Sequence, residues 1–253
     1  MGSQFNIIDV NETNINEVGI YCIKNLKANG FKAKAGWFNQ DSNQTLKIKI
    51  ATDENDRQLG FIEYTDSEHA WRPLRASNFL FIHCITIMKK DDRQKGIASA
   101  LIEACELDAR EQEKDGVCVM TSSGVWLADK SLFEKNGFSE TDRKDRFELM
   151  TKTFGSVSEK PAFMDWNAEL SKYQGWHLLY ADQCPWHDKS ATDLLKTAEE
   201  MKIDLNVKKL SSPKEAQKSP AGFGVFALIK DGKLVADHYI SKTRFKNILK
   251  KEI

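Results

Sequence analysis

The chain has 253 residues, of which 41% are hydrophobic and 29% charged, and its 37 basic side chains balance 37 acidic ones. This composition is that of an ordinary globular protein, and it argues against disorder and low complexity. A net charge of zero gives no electrostatic reason to expect nucleic acid or an anionic membrane as a partner.

Two further features bear on where the protein works. The longest strongly apolar stretch, 79–88, is about half the ~20 residues of a membrane-spanning helix, and the first residues lack the basic and apolar regions of a secretory signal. The five cysteines are odd in number and scattered, with no CxxC pair. We therefore expect reduced thiols in a cytoplasmic protein with no membrane partner.

The first half of the chain alternates between helical and extended patterns. Amphipathic patterns predict helices over the ranges 15–28, 97–113 and 130–136. Apolar or alternating stretches predict strands over the ranges 46–50, 59–64, 79–88, 116–121 and 146–150. The polar segment 151–165, which holds Gly155 and Pro161, predicts a linker.

The second half begins a new series of elements. Strands are predicted at 176–180 and 204–210, with a helix between them that opens at Cys184-Pro185-Trp186-His187 and runs to about 201. After a loop at 211–222, a hairpin joins 224–229 to 234–239 across Asp231-Gly232, and a last helix covers 242–251. We therefore predict an α/β protein with one domain over 1–150, a linker over 151–165 and a second domain over 166–253.

The most informative segment is the polar loop Arg93-Gln94-Lys95-Gly96-Ile97-Ala98, which joins an apolar strand to a helix. The first turn of a helix offers unpaired backbone N–H groups and a partial positive charge, which together favour an anion. Gly96 and Ala98 leave room for a diphosphate, and Arg93 and Lys95 add positive charge. The alternative is an ordinary solvated connection between a strand and a helix.

The pattern Arg93-x-x-Gly96-x-Ala98 resembles the R/Q-x-x-G-x-G/A pyrophosphate loop of the GNAT superfamily of acyl-CoA N-acyltransferases. Residues 132–138, LFEKNGF, are similar to the late L-Y-E-K-x-G-F segment of that superfamily. Upstream, 60–64, 71–72 and 82–84 resemble bacterial acetyltransferases that carry a YoaP-like C-terminal domain. The resemblance covers nearly the whole chain.

The resemblance implies a GNAT-type mixed-sheet fold and an N-acetyltransferase that uses acetyl-CoA as cosubstrate. The acetyl group would pass by direct attack to the amine of a small molecule or peptide. The residues implied to hold CoA are Ile85, Thr86 and Ile87 at the pantetheine arm, Arg93, Gln94, Lys95, Gly96, Ile97, Ala98 and Ser99 at the pyrophosphate, and Phe133 at the position of the superfamily's usual tyrosine.

The catalytic acid and base stay open in the sequence. The superfamily's tyrosine can protonate the leaving thiolate, but Phe133 has no proton to give, so Ser131, Tyr64 or water would have to replace it. The candidate bases are Glu63, Glu68 and His83, for which a solvated carboxylate or a core histidine is the alternative. Trp71 and Trp126 would either line an acceptor pocket or pack in the core.

The second domain follows the order of a thioredoxin-like fold. Cys184 would begin a helix, whose dipole stabilises a thiolate, and a protonated His187 would add to that effect. Because His187 stands where a glutaredoxin-type C-P-Y-C motif has its second cysteine, dithiol exchange is excluded at this motif. Cys184 thus has a structural or substrate-binding role, is a reactive thiol, or forms a metal site with His187 and either His177 or His238. Because a metal site needs three or four convergent ligands, no metal is predicted. The alternative functions are a redox or sensor protein acting through Cys184, and a non-catalytic acyl-CoA-binding protein.

Overall fold

The computed structural model describes residues 5–40 and 43–252, which contain both helices and strands in each half of the chain. The strands are β1 Asn6–Val10, β2 Lys47–Thr52, β3 Gln58–Asp66, β4 Leu74–Arg75, β5 Phe79–Thr86, β6 Gly116–Thr121, β7 Ser139–Lys144, β8 Phe147–Thr153, β9 Ala162–Phe163, β10 Trp176–Tyr180, β11 Leu205–Lys209, β12 Phe226–Lys230 and β13 Lys233–Ala236. The helices are α1 Ile15–Val18, α2 Asn29–Phe38, α3 Ile97–Glu111, α4 Lys130–Glu134, α5 Pro185–Glu200, α6 Pro213–Gln217 and α7 Lys242–Glu252. The predicted mixed α/β class is confirmed.

The chain forms two compact units. The N-terminal unit takes the described residues 5–24, 43–70 and 74–163, and the C-terminal unit takes the described residues 25–40, 71–73 and 164–252. These units differ from a division in chain order, because α2 lies in the C-terminal unit. The stretch predicted as a linker also carries structure, since β8 continues to Thr153 and β9 pairs with β4.

A seven-stranded sheet in the order β1-β2-β3-β5-β6-β8-β7 organises the N-terminal unit. All neighbouring strands are antiparallel except β5 and β6, which are parallel. Helix α3 connects these two strands, as a parallel pair requires. It packs on one sheet face through an apolar cluster that includes Ile62, Tyr64, Leu80, Ile82, Leu101, Ile102, Val117, Val119, Phe133 and Met150.

The C-terminal unit contains a four-stranded sheet in the order β11-β10-β12-β13. Strand β10 is parallel to β11 and antiparallel to β12, and β12 is antiparallel to β13. Helix α5 connects β10 to β11, and α7 packs against α5. The core is built from fully buried apolar side chains, among them Leu178, Leu194, Phe226, Leu228 and Phe245.

The prediction of one helix over 15–28 is wrong. Helix α1 ends at Val18 because Gly19 follows with a φ of 77°, and Tyr21 has a φ of 59°. The hydroxyl of Tyr21 donates to the carbonyl of Leu59 (2.7 Å) and accepts from the N–H of Met88 (2.9 Å), which holds this segment against the sheet. Asn29, the residue after the predicted range, instead begins α2.

Several elements escaped the sequence patterns, among them α2 and the short strands β4 and β9. Strand β1 lies at one sheet edge, and β7 lies at the other with mostly polar, exposed side chains, so the latter has no apolar alternation to detect. Helix α6 lies in the predicted loop 211–222, where the Ser212 hydroxyl accepts from the N–H of Glu215. No helix in the described part of the chain is long and apolar enough to cross a membrane.

Candidate functional site

The parallel strands β5 and β6 pair over only part of their length and then separate within the N-terminal sheet. Their described pairing begins at Phe79 opposite Gly116 and ends at Ile82 opposite Val119, although β5 continues to Thr86 and β6 to Thr121. Alternate backbone groups of residues 83–86 therefore point away from β3, toward the side where β6 has ended its pairing. Ile85 and Thr86, implied to bind pantetheine, lie on this part of β5.

A β-bulge occurs at the point where the strands separate. Glu63 lies opposite Cys84 and Tyr64 opposite Ile82, so His83 is the additional residue on β5. Bulges redirect side chains and are common beside active sites. Here the bulge brings together two of the predicted catalytic residues: His83 Nδ1 lies 3.5 Å from Glu63 Oε1, and their side chains are 0% and 1% exposed.

Glu63 and His83 lie on the sheet face opposite α3. Their neighbours Ile62, Tyr64 and Ile82 belong to the cluster under α3, and successive residues of a strand point to opposite faces. The ring of Phe81 packs against the His83 imidazole with 5.3 Å between centroids. The buried pair thus has an apolar wall, an environment in which a carboxylate acts strongly on an adjacent imidazole.

Glu68 lies away from this pair. Its Oε1 accepts the backbone N–H of Asn78 at 2.7 Å, and its side chain is exposed. Asn78 precedes His83 by five residues, which is roughly 16 Å along an extended strand. The structure therefore brings Glu63 and His83 together and places Glu68 near the opposite end of β5.

The two positions considered for an acid on α4 point in different directions. Phe133 is fully buried and packs edge-on against Phe138, with 5.4 Å between ring centroids. Ser131 is exposed on the first turn, where its N–H donates to Asp129 Oδ1 at 2.9 Å. Residues two apart on a helix point to nearly opposite sides. Ser131 consequently lies away from the position that Phe133 occupies.

Tyr64, the other hydroxyl considered as an acid, is buried under α3. Its O–H donates to Asp108 Oδ2 at 2.5 Å, and the same carboxylate oxygen accepts from Lys47 Nζ at 2.7 Å. Burial, followed by nearby negative charge, raises the pKa of Tyr64 well above its usual value. This hydroxyl serves the contact between sheet and helix on the face opposite to Glu63 and His83.

The predicted pyrophosphate loop has the backbone of an open helix start. Gln94 and Gly96 have positive φ values of 62° and 79°, and Gly96 begins α3 without a side-chain cap. The N–H of Ala100 bonds to the Gly96 carbonyl at 3.0 Å, so the N–H groups of 97–99 come before this helical bond. A Cβ at Gly96 would meet no atom within 4 Å, which leaves space above this turn.

Arg93 has a role in the loop that the sequence did not predict. Its Nε donates to the carbonyl of Ile87 at 3.0 Å, and its Nη2 to that of Met88 at 3.3 Å. These bonds tie the loop to the chain just after β5. Tyr21 binds the Met88 N–H from the other side, and no sequence pattern marked it because it fell within a wrongly predicted helix.

The two tryptophans considered for an acceptor pocket differ in exposure. Trp71 is fully buried in the C-terminal unit, edge-on to Trp37 with 5.2 Å between centroids, so it is a core residue. Trp126 lies in the segment between β6 and α4 with a φ of 76° and 42% of its surface exposed. Only Trp126 of this pair is accessible within its unit.

Cys184 is the N-cap residue of α5 and is partly exposed, as predicted for a helix start. His187 does not supply the expected positive charge: it is buried, its Nδ1 contacts the Ala181 carbonyl at 3.0 Å, and burial lowers its pKa to about 3. His177 and His238 contact the Gln174 carbonyl and Asp237, respectively. Within the described ranges, no three potential ligands cluster as a metal site requires.

Comparison with known proteins identifies relatives of both units. Residues 204–247 match the family described as YoaP-like. The uncharacterized N-acetyltransferase YoaP of Bacillus subtilis (strain 168) is 28% identical over 248 residues, which cover 96% of this chain and 97% of that protein. The chain is an acyltransferase related to YoaP. The resemblance predicted from the sequence is confirmed.

Solved structures match a smaller share of this chain than YoaP does. A GNAT-family acetyltransferase from Staphylococcus aureus is 17% identical, covers 60% of this chain and 100% of its own, and has a TM-score of 0.44. A spermidine N-acetyltransferase from Vibrio cholerae is 14% identical, with 60% and 94% covered and a TM-score of 0.43. These structures match about 60% of the chain, whereas the similarity to YoaP extends over 96% of it.

Proposed function

We propose that the protein is an acetyl-CoA-dependent N-acetyltransferase whose acceptor is the amine of a small molecule or peptide. The observation that carries this proposal is the buried Glu63–His83 pair at the bulge where β5 leaves β6. The same strand leads into the open helix start at Gly96. A diphosphate at that helix start would leave the thioester end of CoA to extend along β5, toward His83.

The proposed cofactor site runs from the end of β5 to the first turn of α3. The N–H groups of residues 97–99 and the helix dipole would bind the pyrophosphate, with Lys95 as the nearby cation. Backbone groups of residues 85–87 would bind the pantetheine arm. We propose Arg93 as the residue that holds the loop closed, because its side chain donates to the carbonyls of Ile87 and Met88.

We propose His83 as the general base and Glu63 as the carboxylate that orients it. An imidazole titrates near neutral pH, and a carboxylate at one ring nitrogen leaves the other nitrogen to accept a proton. The acceptor amine attacks the thioester carbon, the C–S bond breaks as the new C–N bond forms, and His83 takes the proton from the amine. The electron pair of the broken bond leaves on the CoA sulfur.

The leaving thiolate is proposed to take its proton from water. Phe133 has no hydroxyl, and Ser131 and Tyr64 are oriented elsewhere, toward solvent and Asp108 respectively. Direct attack with late protonation by solvent fits these positions. It also predicts a reaction that is less sensitive to substitution on α4 than to substitution at His83.

The C-terminal unit is proposed to be thioredoxin-like. Support comes from its chain order: a strand and helix lead to a parallel strand, and an antiparallel hairpin and a closing helix follow. The cytoplasmic location stays a prediction, for which the five free cysteines are the support.

The proposal is tested by thiol release from acetyl-CoA with a panel of amino acids, polyamines, aminoglycosides and peptides. Once an acceptor is found, His83→Gln should lower kcat by about 10²- to 10⁴-fold, as loss of a general base does, without raising the KM for acetyl-CoA. Glu63→Gln should lower kcat less and shift its pH profile.

Glu68→Gln is the matched control, because it makes the same chemical change near the other end of β5. It should leave kcat within about twofold of the parent value, since surface substitutions have small effects. Equal activity in the His83→Gln and parent proteins would contradict the assignment of the base. Binding of CoA without turnover on any amine would favour the alternative of a non-catalytic acyl-CoA-binding protein.

A further inference from the structure

A buried carboxylate lies directly before the proposed pyrophosphate loop. Asp92 is only 4% exposed, and the next residue, Arg93, begins the loop. Arg57 Nη1 donates to Asp92 Oδ2 at 2.7 Å, and Nη2 donates to Oδ1 at 3.1 Å. This two-point contact joins the turn between β2 and β3 to the chain segment that precedes α3.

The arginine is itself held in place from the other side. Its Nε donates to Asp53 Oδ2 at 2.8 Å, and Asp53 Oδ1 accepts the N–H groups of Asn55 and Arg57 within the turn. The contacts with Asp53 therefore fix the orientation of the guanidinium that binds Asp92. A planar guanidinium held in this way suits a bidentate contact with a carboxylate, which a lysine could not reproduce.

Without this contact the charge of Asp92 would work against a bound diphosphate. A negative charge next to the loop repels the ligand, and it also competes for the loop's cation. Lys95 Nζ lies 3.9 Å from Asp92 Oδ1, within ion-pair distance, so the carboxylate already attracts this cation. Arg57 contacts both oxygens of Asp92 at hydrogen-bond distance and so compensates the charge of this carboxylate more directly than Lys95 does.

We propose that Arg57 is a positioning residue for CoA, which neutralises the charge of Asp92 beside the loop that would bind the pyrophosphate. This inference rests on the proposed function, because it assumes that the loop 93–99 binds the CoA diphosphate. It assigns no chemical step to Arg57. Its effect should fall on CoA affinity and the KM for acetyl-CoA, and kcat should stay unchanged.

The test measures CoA binding by calorimetry for Arg57→Gln, Asp92→Asn and the double variant. Arg57→Gln should weaken binding about tenfold, as expected for one uncompensated charge near the ligand. The double variant should recover affinity to within about threefold of the parent, and Asp92→Asn alone should bind as tightly as the parent or tighter. The loss in Arg57→Gln should shrink in about 0.5 M salt.

Asp53→Asn is the matched control, because it removes the other ion-pair partner of Arg57 while an amide oxygen can still accept the turn N–H groups. It should change CoA affinity by less than about twofold. If Arg57→Gln does not fold, Arg57→Lys is measured in its place. Because lysine retains the positive charge, CoA binding should stay within about threefold of the parent. A tenfold loss of affinity in Arg57→Lys would contradict the charge mechanism.

A purely structural role would give a different pattern. Both Arg57→Gln and Asp92→Asn would then weaken CoA binding, and the double variant would bind no more tightly than Arg57→Gln. That pattern would overturn the proposal. CoA binding by Arg57→Gln as tight as that of the parent would overturn it as well. Failure of the parent protein to bind CoA would instead overturn the proposed function, so the two failures are distinguishable.

Discussion

The junction from β5 to α3 in the N-terminal unit and the junction from β10 to α5 in the C-terminal unit differ in chemistry despite a similar chain path. At the first, β5 leads to α3 through an exposed loop in which Gly96 has a positive φ. At the second, β10 leads to α5 through Cys184 in an extended conformation. Each helix directs its partial positive charge at its own junction.

The difference lies in what surrounds each helix start. At the first junction the space above Gly96 is open, and Lys95 is exposed. At the second, Pro185 removes one backbone donor from the first turn, and the neutral ring of His187 packs against Phe226 at 5.2 Å. We therefore propose an anion site only at the first helix start, because donors, space and positive charge coincide there.

The largest effect is expected at Gly96. Gly96→Glu should abolish CoA binding and the accompanying rise in Tm, because the new side chain fills the open space and adds negative charge. Gly175→Glu is the matched control, since Gly175 has the same φ of 79° and also has no atom within 4 Å of an added Cβ. It should carry the same backbone strain and keep the CoA-induced shift. An undiminished shift in Gly96→Glu would remove the first junction from the cofactor site.

A pH-dependent loss of stability is expected from the second junction. The pKa of His187 is about 3 in the folded chain, where burial lowers it, against 6.5 as its ordinary value. The unfolded chain therefore binds the extra proton between these values, so the stabilising effect is complete above pH 6.5 and is lost as pH falls. As pH falls below 6.5, the free energy of unfolding of the parent should decrease relative to that of His187→Gln by about 1 kcal/mol per pH unit.

Urea titrations at pH 7, 6 and 5 on both proteins provide the measurement. His187→Gln keeps an amide that can reach the Ala181 carbonyl, so the variant isolates the titration from the hydrogen bond. Parallel stability curves for the two proteins would mean that His187 is protonated in the folded state, and the contrast between the junctions would then disappear.

A smaller effect is expected where Tyr21 supports the end of β5. Tyr21→Phe leaves the Met88 N–H and the Leu59 carbonyl without this hydroxyl and should lower the free energy of unfolding by about 1 to 2 kcal/mol. Tyr180→Phe, at the end of β10, is the comparison at the other junction and should change stability by less than about 0.5 kcal/mol. Equal losses would show that both strand ends depend on a tyrosine hydroxyl.

The smallest effect is expected at Cys184. If the thiol has no chemical role, Cys184→Ser should alter the free energy of unfolding by less than about 0.5 kcal/mol and leave acetyl transfer within about twofold of the parent. The rate of reaction with a thiol reagent, measured against pH, compares Cys184 with Cys22, which is also partly exposed. Loss of turnover in Cys184→Ser, or a thiolate formed at much lower pH than that of Cys22, would restore the redox or sensor alternative.

Most of the regular elements followed from local patterns. The strands at 116–121 and 176–180 agree with prediction to the residue, because an apolar run bounded by polar turns has few other solutions. The place of Gly96 at the start of α3 could also be predicted, since only glycine adopts a positive φ there at low cost. Alternation along β3 places Glu63 and Tyr64 on the two faces of the sheet, although both were considered for the same catalytic site.

What the sequence by itself determined was therefore local: the α/β character, the order of most elements, and a helix start suited to a diphosphate. Tertiary structure decided which candidates meet. The bulge at His83 brings it to Glu63, Glu68 turns to Asn78, and Arg57 reaches across 35 positions of sequence to Asp92. Such contacts depend on strand register and on burial, which arise when distant segments pack, and no local pattern of residues encodes them.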